Sequence, residues 1–478
     1  MLRKLFLVLI FGLSIVVFIL GKDVLQTTDA QRYAVLANNL VSGRGYTLDG
    51  FPELIFPPGF SLLIAPLILL GLSLDLSVAI VMATGYLLLG LGIFLLTKEF
   101  FEEKIAMLVS LFVLVNGNII LWSVLGYAEI LLFGFLLMAA YLFITKKKNS
   151  YLSGFFAGFA YLIKPEALIH IFLFLSLLYL FRRKTLVENF KKFSLPLLLI
   201  IFAYSSYLFI HTGKLAVSGK VATLEWVRYI EDKNLSAERI FYRYNEDGTL
   251  GPTIKNYSLS GINLKERVRL NLISLKQASF EILLPLKVVL VIIFLNLLFI
   301  PKTRKLFLLL APFVLPISIS LVFQIEQRFL FPLILFTIFF LVHSMLLLSK
   351  SQDKLLTKGI LLASLLTLLA MTYYSYYPLK KEMPNLKREK TEILSFVSSI
   401  GNVPLILSRK PVYSYFTGAD YYPLPWVETK EDFKKYLDNH KEGLIILDAW
   451  SRNTLPETES VIRNNFAGKV QLIEYATN

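Results

Sequence analysis

Residues 127–163 read YAEILLFGFLLMAAYLFITKKKNSYLSGFFAGFAYLI. Two apolar runs, 127–145 and 151–163, flank the knot Lys146-Lys147-Lys148. The hydrocarbon core of a bilayer takes about 20 apolar helical residues, and a lysine knot between two such runs is a topology signal. The pattern recurs along the whole chain. Of 478 residues, 56% are hydrophobic and 17% charged, whereas soluble domains run near a quarter charged. The mean hydropathy of +0.63 agrees.

Working outward, spans are expected at about 5–21, 76–97, 104–121, 127–145, 151–163, 166–181, 193–210, 280–300, 306–323, 329–349 and 357–377. The fifth and sixth are short and meet at Lys164-Pro165-Glu166, where proline interrupts a helix. With the N-terminus inside, the short cytoplasmic loops collect Lys98, Lys104, the Lys146 triplet, Arg182, Arg183, Lys184, Lys302, Arg304, Lys305 and Lys350. The short outer turns carry only Lys164 and Arg328, as the positive-inside rule requires. The net charge of +15 therefore marks membrane topology rather than nucleic-acid binding. The first apolar run lacks a small-residue cleavage site and is expected to stay as a helix.

The expected fold is a polytopic all-α membrane protein of about eleven helices, covering 1–377. Its first outer loop is 22–75 and its long outer loop 211–279. A small extracytoplasmic α/β domain is expected over 378–478, where short strand-like runs alternate with an amphipathic stretch at 430–439. The apolar segment 60–72 follows Pro57-Pro58-Gly59 and is expected to lie on the outer leaflet, because counting it as a span would put the lysine triplet outside.

Cysteine is absent, which excludes disulfides and thiolate chemistry. The four histidines are scattered, which argues against zinc or haem. Polar residues gather instead on the outer side. Asp29 opens a helical pattern, Ala30, Tyr33, Ala34, Ala37, Leu40 and Val41, that stops at Gly43. Asp29 either caps that helix or offers a carboxylate for chemistry. Glu129 heads an apolar run, serving the helix N-terminus or facing a polar cavity. Lys164 and Glu166 flank Pro165, and Gln324, Glu326, Gln327 and Arg328 fill the turn before the tenth span. An anionic lipid phosphate on that side would need cations such as Lys164 and Arg328.

These residues carry a resemblance. An acidic residue in the first loop, a surface helix, the turn Gly43–Tyr46 and Pro57-Pro58-Gly59-Phe60 resemble the GT-C glycosyltransferases. The similarity is to the branch of protein O-mannosyltransferases and the lipid A aminoarabinose transferase. It extends to Tyr127-Ala128-Glu129, to Lys164-Pro165-Glu166 and to Arg328-Phe329-Leu330-Phe331-Pro332. The resemblance implies a cell-membrane enzyme that moves a sugar from a polyprenyl-phosphate-linked donor to a lipid, glycan or protein acceptor, with inversion. It implies Asp29 and Glu129 as catalytic carboxylates. Lys164, Arg328 and Arg32 would bind the donor phosphate, and Tyr33, Tyr46, Glu166 and Glu326 would touch substrate. Lysine at 164, where relatives carry arginine, keeps the charge but loses the bidentate fork. No cofactor is required by this scheme, although Asp29, Asp49, Glu53 and Glu129 are carboxylates enough for a divalent ion. Rival readings are a transporter or lipid flippase, disfavoured by an odd span number and no internal repeat, and a polysaccharide polymerase or ligase.

Overall fold

Helices make up most of the described chain, and several of them are long and apolar enough to cross a bilayer. The computed structural model describes residues 2–48, 50–145, 150–220, 242–245, 250, 265, 268–269, 271–273, 275–276, 316, 327–348, 354–438, 443–466 and 473–475. Among them, Leu2–Lys22, Leu74–Lys98, Ala128–Thr145 and Asn189–Thr212 pass by length and composition, and a bent pair supplies a fifth. The spans expected at 280–300 and 306–323, the Lys146 triplet and most of the loop 211–279 lie outside the described residues. The chain divides into two units.

The first unit holds residues 1–22, 79–204 and 264–384. Its helices are α1 (Leu2–Lys22), α4 (Leu74–Lys98), α5 (Glu103–Leu114), α6 (Gly117–Leu125), α7 (Ala128–Thr145), α8 (Ser150–Ile163), α9 (Ala167–Thr212), α10 (Phe331–Leu348) and α11 (Lys354–Ile400), with α4, α9 and α11 running on into the second unit. In α7 78% of the apolar window is buried, against 28% in α1, so among the described spans α7 is the most enclosed and α1 is mostly exposed. Helices pack closely where glycine lets backbones approach. A Cβ on Gly85 of α4 would sit 2.5 Å from Leu131 of α7. Hydroxyls bridge helices in the apolar interior, as when Ser14 donates to the Ala83 carbonyl (2.7 Å) and Ser110 to that of Gly90 (2.8 Å).

Two helical assignments differ from the sequence expectation. The span at 104–121 is broken: α5 and α6 meet at 59°. Asn116 causes the break, because its side chain accepts from the Asn118 amide (3.1 Å) and starts a new helix. The helix α9 is continuous in backbone conformation over both the sixth and seventh expected spans. Yet Phe143 touches both Phe174 and Phe193, which a straight helix would hold about 28 Å apart. The chain therefore reverses between them. Gly154 and Tyr161 of α8 pack against Phe193 and Tyr204 in the same order, so the second arm of α9 runs parallel to α8.

The second unit holds residues 23–78, 205–263 and 385–478. It opens with α2 (Thr28–Val41), the hairpin β1 (Thr47–Leu48) and β2 (Phe51–Pro52), and α3 (Gly59–Leu69). An α3 of 11 residues is about 16 Å long, too short to cross the core. The tail forms a parallel sheet in the order β4-β3-β5-β6, from β3 (Leu405–Ser408), β4 (Asp420–Pro423), β5 (Leu444–Asp448) and β6 (Ile473–Tyr475). The cores of β3 and β5 are continuous apolar runs, as strands covered on both faces require. Around them lie α12 (Val412–Thr417), α13 (Lys430–Asp438), α14 (Ala449–Thr454) and α15 (Pro456–Phe466).

The first loop is built into this tail. Leu25 shares a core with Ile393, Ile406, Val412, Tyr413 and Ile446, and Val35, Leu36 and Leu48 pack on Tyr421. One helix also runs past position 378, the expected start of the tail. Helix α11 continues through Pro378 and Pro384 to Ile400, because Ile393, Phe396, Val397 and Ile400 form a stripe at helical spacing that the tail core covers.

Candidate active site

In the first unit, three separated sequence motifs converge. Gly126 adopts a left-handed conformation (φ +82°) that ends α6 and lets α7 begin with Glu129 in its first turn. Lys164 follows the end of α8, where Pro165 stops the helix. Arg328 lies in a 3-10 turn, Gln327–Leu330, that leads into α10. The Lys164 ammonium is 2.5 Å from Glu129 Oε1, and Arg328 Nε is 3.6 Å from the same oxygen. All three side chains are largely buried. Both cations face the Phe329 ring at 5.3 Å, and Arg328 also covers Tyr127 at 4.7 Å. Two cations against one carboxylate leave these three groups with a surplus positive charge. Glu129 Oε2 is buried with no hydrogen-bond partner, so its lone pairs are available to a donor that enters. Such an arrangement can take an anionic oxygen compound such as a phosphate.

In the second unit, Asp29 is half-buried in the first turn of α2. The helix cap is Thr27, whose hydroxyl accepts from the Ala30 amide at 3.3 Å. The capping role open to Asp29 is thus taken by its neighbour two positions earlier. A carboxylate in the first turn still gains from the helix dipole.

Arg32, expected at the donor phosphate, is paired with a carboxylate of the first loop. Its guanidinium bonds Glu53 Oε2 at 2.6 Å and lies 4.5 Å over the Phe56 ring. Glu53 is buried and also accepts from the Ile55 and Phe56 amides at 2.8 and 3.0 Å. Burial disfavours the Arg32 charge, but Glu53, with smaller contributions from Tyr242 and Tyr421, outweighs it and holds the guanidinium protonated beyond its ordinary range. The pair fastens the loop to α2. Tyr46 does similar work: its hydroxyl bonds the Phe56 and Pro57 carbonyls at 2.9 and 3.2 Å, and Tyr207 bonds the Tyr46 and Glu53 carbonyls, both at 3.1 Å. Tyr33 is buried against Phe56 and Phe60. These two tyrosines, expected at substrate, shape the loop. Glu166 is half-buried in the turn after Lys164. Glu326 and Asp49 lie outside the described residues. Among the described residues no three acidic or histidine side chains converge as a metal site would need, and Glu53 is already committed to Arg32.

Sequence reading missed Glu53 as the partner of Arg32, as well as the loop-holding Tyr207. Both depend on pairings across distant stretches of chain. The signal available was an acidic residue, Glu53, set among Phe51, Pro52, Leu54 and Ile55, where an unpaired carboxylate would be costly.

Residues 56–208 match the family model described as dolichyl-phosphate-mannose-protein mannosyltransferase. That segment contains Glu129 and Lys164. No curated protein matches the chain in sequence. In fold the chain is similar to ArnT from Cupriavidus metallidurans bound to undecaprenyl phosphate, at 11% identity and a TM-score of 0.56, over 97% of this chain and 89% of that one. It is also similar to the archaeal oligosaccharyltransferase AglB from Archaeoglobus fulgidus in complex with an inhibitory peptide and a dolichol-phosphate, at 14% identity and a TM-score of 0.47, over 87% of this chain and 64% of that one. The family match and the ArnT-like fold bear out the resemblance read from the sequence, that of a membrane glycosyltransferase of the GT-C type.

Proposed function

We propose that this chain transfers a sugar from a polyprenyl-phosphate-linked donor to a hydroxyl acceptor at the extracytoplasmic membrane face. The observation that carries the reading is the convergence of Lys164 and Arg328 on the buried Glu129; Glu129 and Lys164 fall within the segment that matches the mannosyltransferase model. ArnT, similar in fold, was solved with undecaprenyl phosphate, and a lipid phosphate is the anion such a cation pair accepts. The layout that goes with this reading is the eleven-span one, with the N-terminus inside.

The step is a direct displacement. Asp29 takes the proton of the acceptor hydroxyl as its oxygen bonds the anomeric carbon. The bond from that carbon to the phosphate oxygen breaks, and the electron pair leaves on the lipid phosphate, where Lys164 and Arg328 stabilise it. Attack opposite the leaving group inverts the anomeric centre. Glu129 holds the two cations in place, and Arg32, committed to Glu53, stands outside the phosphate set. The acceptor class, whether lipid, glycan or protein, follows from none of these residues.

The test is transfer from undecaprenyl-phosphate-linked hexoses, followed in membranes at matched protein level, with undecaprenyl phosphate binding measured separately. Asp29→Asn should bind the lipid like the parent and transfer at least about a hundredfold more slowly, the low end for a lost general base. Full transfer by Asp29→Asn would overturn the assignment of the carboxylate. Lipid or solute movement without any glycosyl transfer would support the transporter reading instead.

A further inference from the structure

The backbone that carries Asp29 into α2 is clamped by a chain of buried polar side chains in the second unit. Gln26, three residues before Asp29, is 3% exposed. Its Oε1 accepts from the Tyr415 hydroxyl at 2.6 Å, its Nε2 approaches the Asp75 carbonyl at 3.4 Å, and its own carbonyl accepts from Gln31 Nε2 at 2.7 Å. Asp75 in turn binds Lys390 at 3.0 Å and the Ser73 hydroxyl at 2.5 Å. Lys390 is 7% exposed and faces the Phe416 ring at 5.6 Å. The chain therefore joins four separated stretches: the first loop, the start of α4, the extension of α11, and α12.

A lysine and a glutamine this deeply buried are costly unless they are hydrogen-bonded or paired, and here Lys390 is paired with Asp75 and Gln26 is bonded to Tyr415. The tail core is apolar and already holds Leu25 through Ile393 and Val412, so packing alone would secure the loop. Directional bonds add what packing does not, a defined place for the turn that presents Asp29. We infer that Gln26, Tyr415, Asp75 and Lys390 are positioning residues, which hold Asp29 at the place where it serves the acceptor. The functional part rests on the reading of Asp29 given above, whereas the placement of Asp29 by Tyr415 does not.

The absence of cysteine in the chain allows a direct test with this whole chain. Asp29→Cys reports the position through its labelling rate with a maleimide. Adding Tyr415→Phe, which removes one hydroxyl, should change that rate by at least about threefold, because the turn can then open locally. Adding Tyr413→Phe is the control. It removes a comparable buried bond, from the Tyr413 hydroxyl to Asp448 at 3.2 Å, and should leave the rate alone. In transfer from an undecaprenyl-phosphate-linked hexose, Tyr415→Phe should lower kcat about tenfold with lipid binding unchanged. The same substitution in the Asp29→Asn background should cost nothing further, since residues that act as a unit are non-additive. An unchanged labelling rate, or equal changes from Tyr413→Phe and Tyr415→Phe, would overturn the clamp. A labelling shift with additive losses in transfer would overturn the link to Asp29. Full activity of Asp29→Asn would strike the catalytic assignment while the labelling result still decides the clamp.

Discussion

Lys164, Arg328 and Glu129 share one oxygen, and that geometry separates their roles. Removing either cation weakens an anion site, whereas removing the carboxylate leaves two buried cations facing each other. Lys164→Ala and Arg328→Ala should each weaken undecaprenyl phosphate binding roughly tenfold to a hundredfold, the worth of a charged hydrogen bond of about 1.5–3 kcal/mol. Titration of the detergent-solubilised protein checks this, and parent-like affinity in both variants would make the cations structural. Glu53→Gln belongs to another class. It strands the Arg32 charge, which is only 20% exposed, and should destabilise the fold by about 3 kcal/mol. Thermal unfolding should show the loss with lipid binding per folded molecule unchanged.

Among the described helices, α8 and the second arm of α9 pack closely. A Cβ on Gly154 would lie 2.0 Å from the Phe193 carbonyl oxygen, a backbone atom that cannot step aside. Gly154→Val should therefore lower the melting temperature and the yield of folded protein, at a cost of at least about 1–3 kcal/mol. Normal yield and stability would mean that the two helices stand further apart. Helix periodicity announced both elements, but the sequence alone did not show which face of each meets the other. The break at Asn116 was passed over although Asn116-Gly117-Asn118 interrupts the apolar run there and Asn-Gly is a turn signal; the Asn116 cap then starts the new helix. The extension of α11 was missed for the opposite reason: Pro378 and Pro384 argue for a stop, and burial of Ile393 and its neighbours in the tail core overrides them.

For the whole molecule, orientation is the property to test. Lys104→Cys and Lys434→Cys are both at exposed positions, and the expected layout puts them on opposite sides of the membrane. An impermeant maleimide added to intact cells should label Lys434→Cys and spare Lys104→Cys; equal labelling would end the eleven-span arrangement. Ending the chain at Ile400 should likewise abolish activity and accumulation, because Leu25 and Leu36 would lose the tail core that covers them.

By itself, the sequence determined the medium and the cast. Apolar runs of span length and lysine knots depend only on transfer free energies along the chain, so they are legible residue by residue. The resemblance to GT-C enzymes rested on short motifs in order, and it placed Asp29, Glu129, Lys164 and Arg328 before any geometry was known. Only the tertiary structure decided what those side chains are paired with. Glu129 proved to be the common partner of two cations, Lys164 and Arg328, that come from separate turns far from it and from each other in sequence. Arg32 proved to belong to Glu53, and Asp29 to a turn held by Tyr415 through Gln26. The physical reason is that a charge in a poorly solvating environment must find a partner, but which partner depends on distances across the fold that no local pattern encodes.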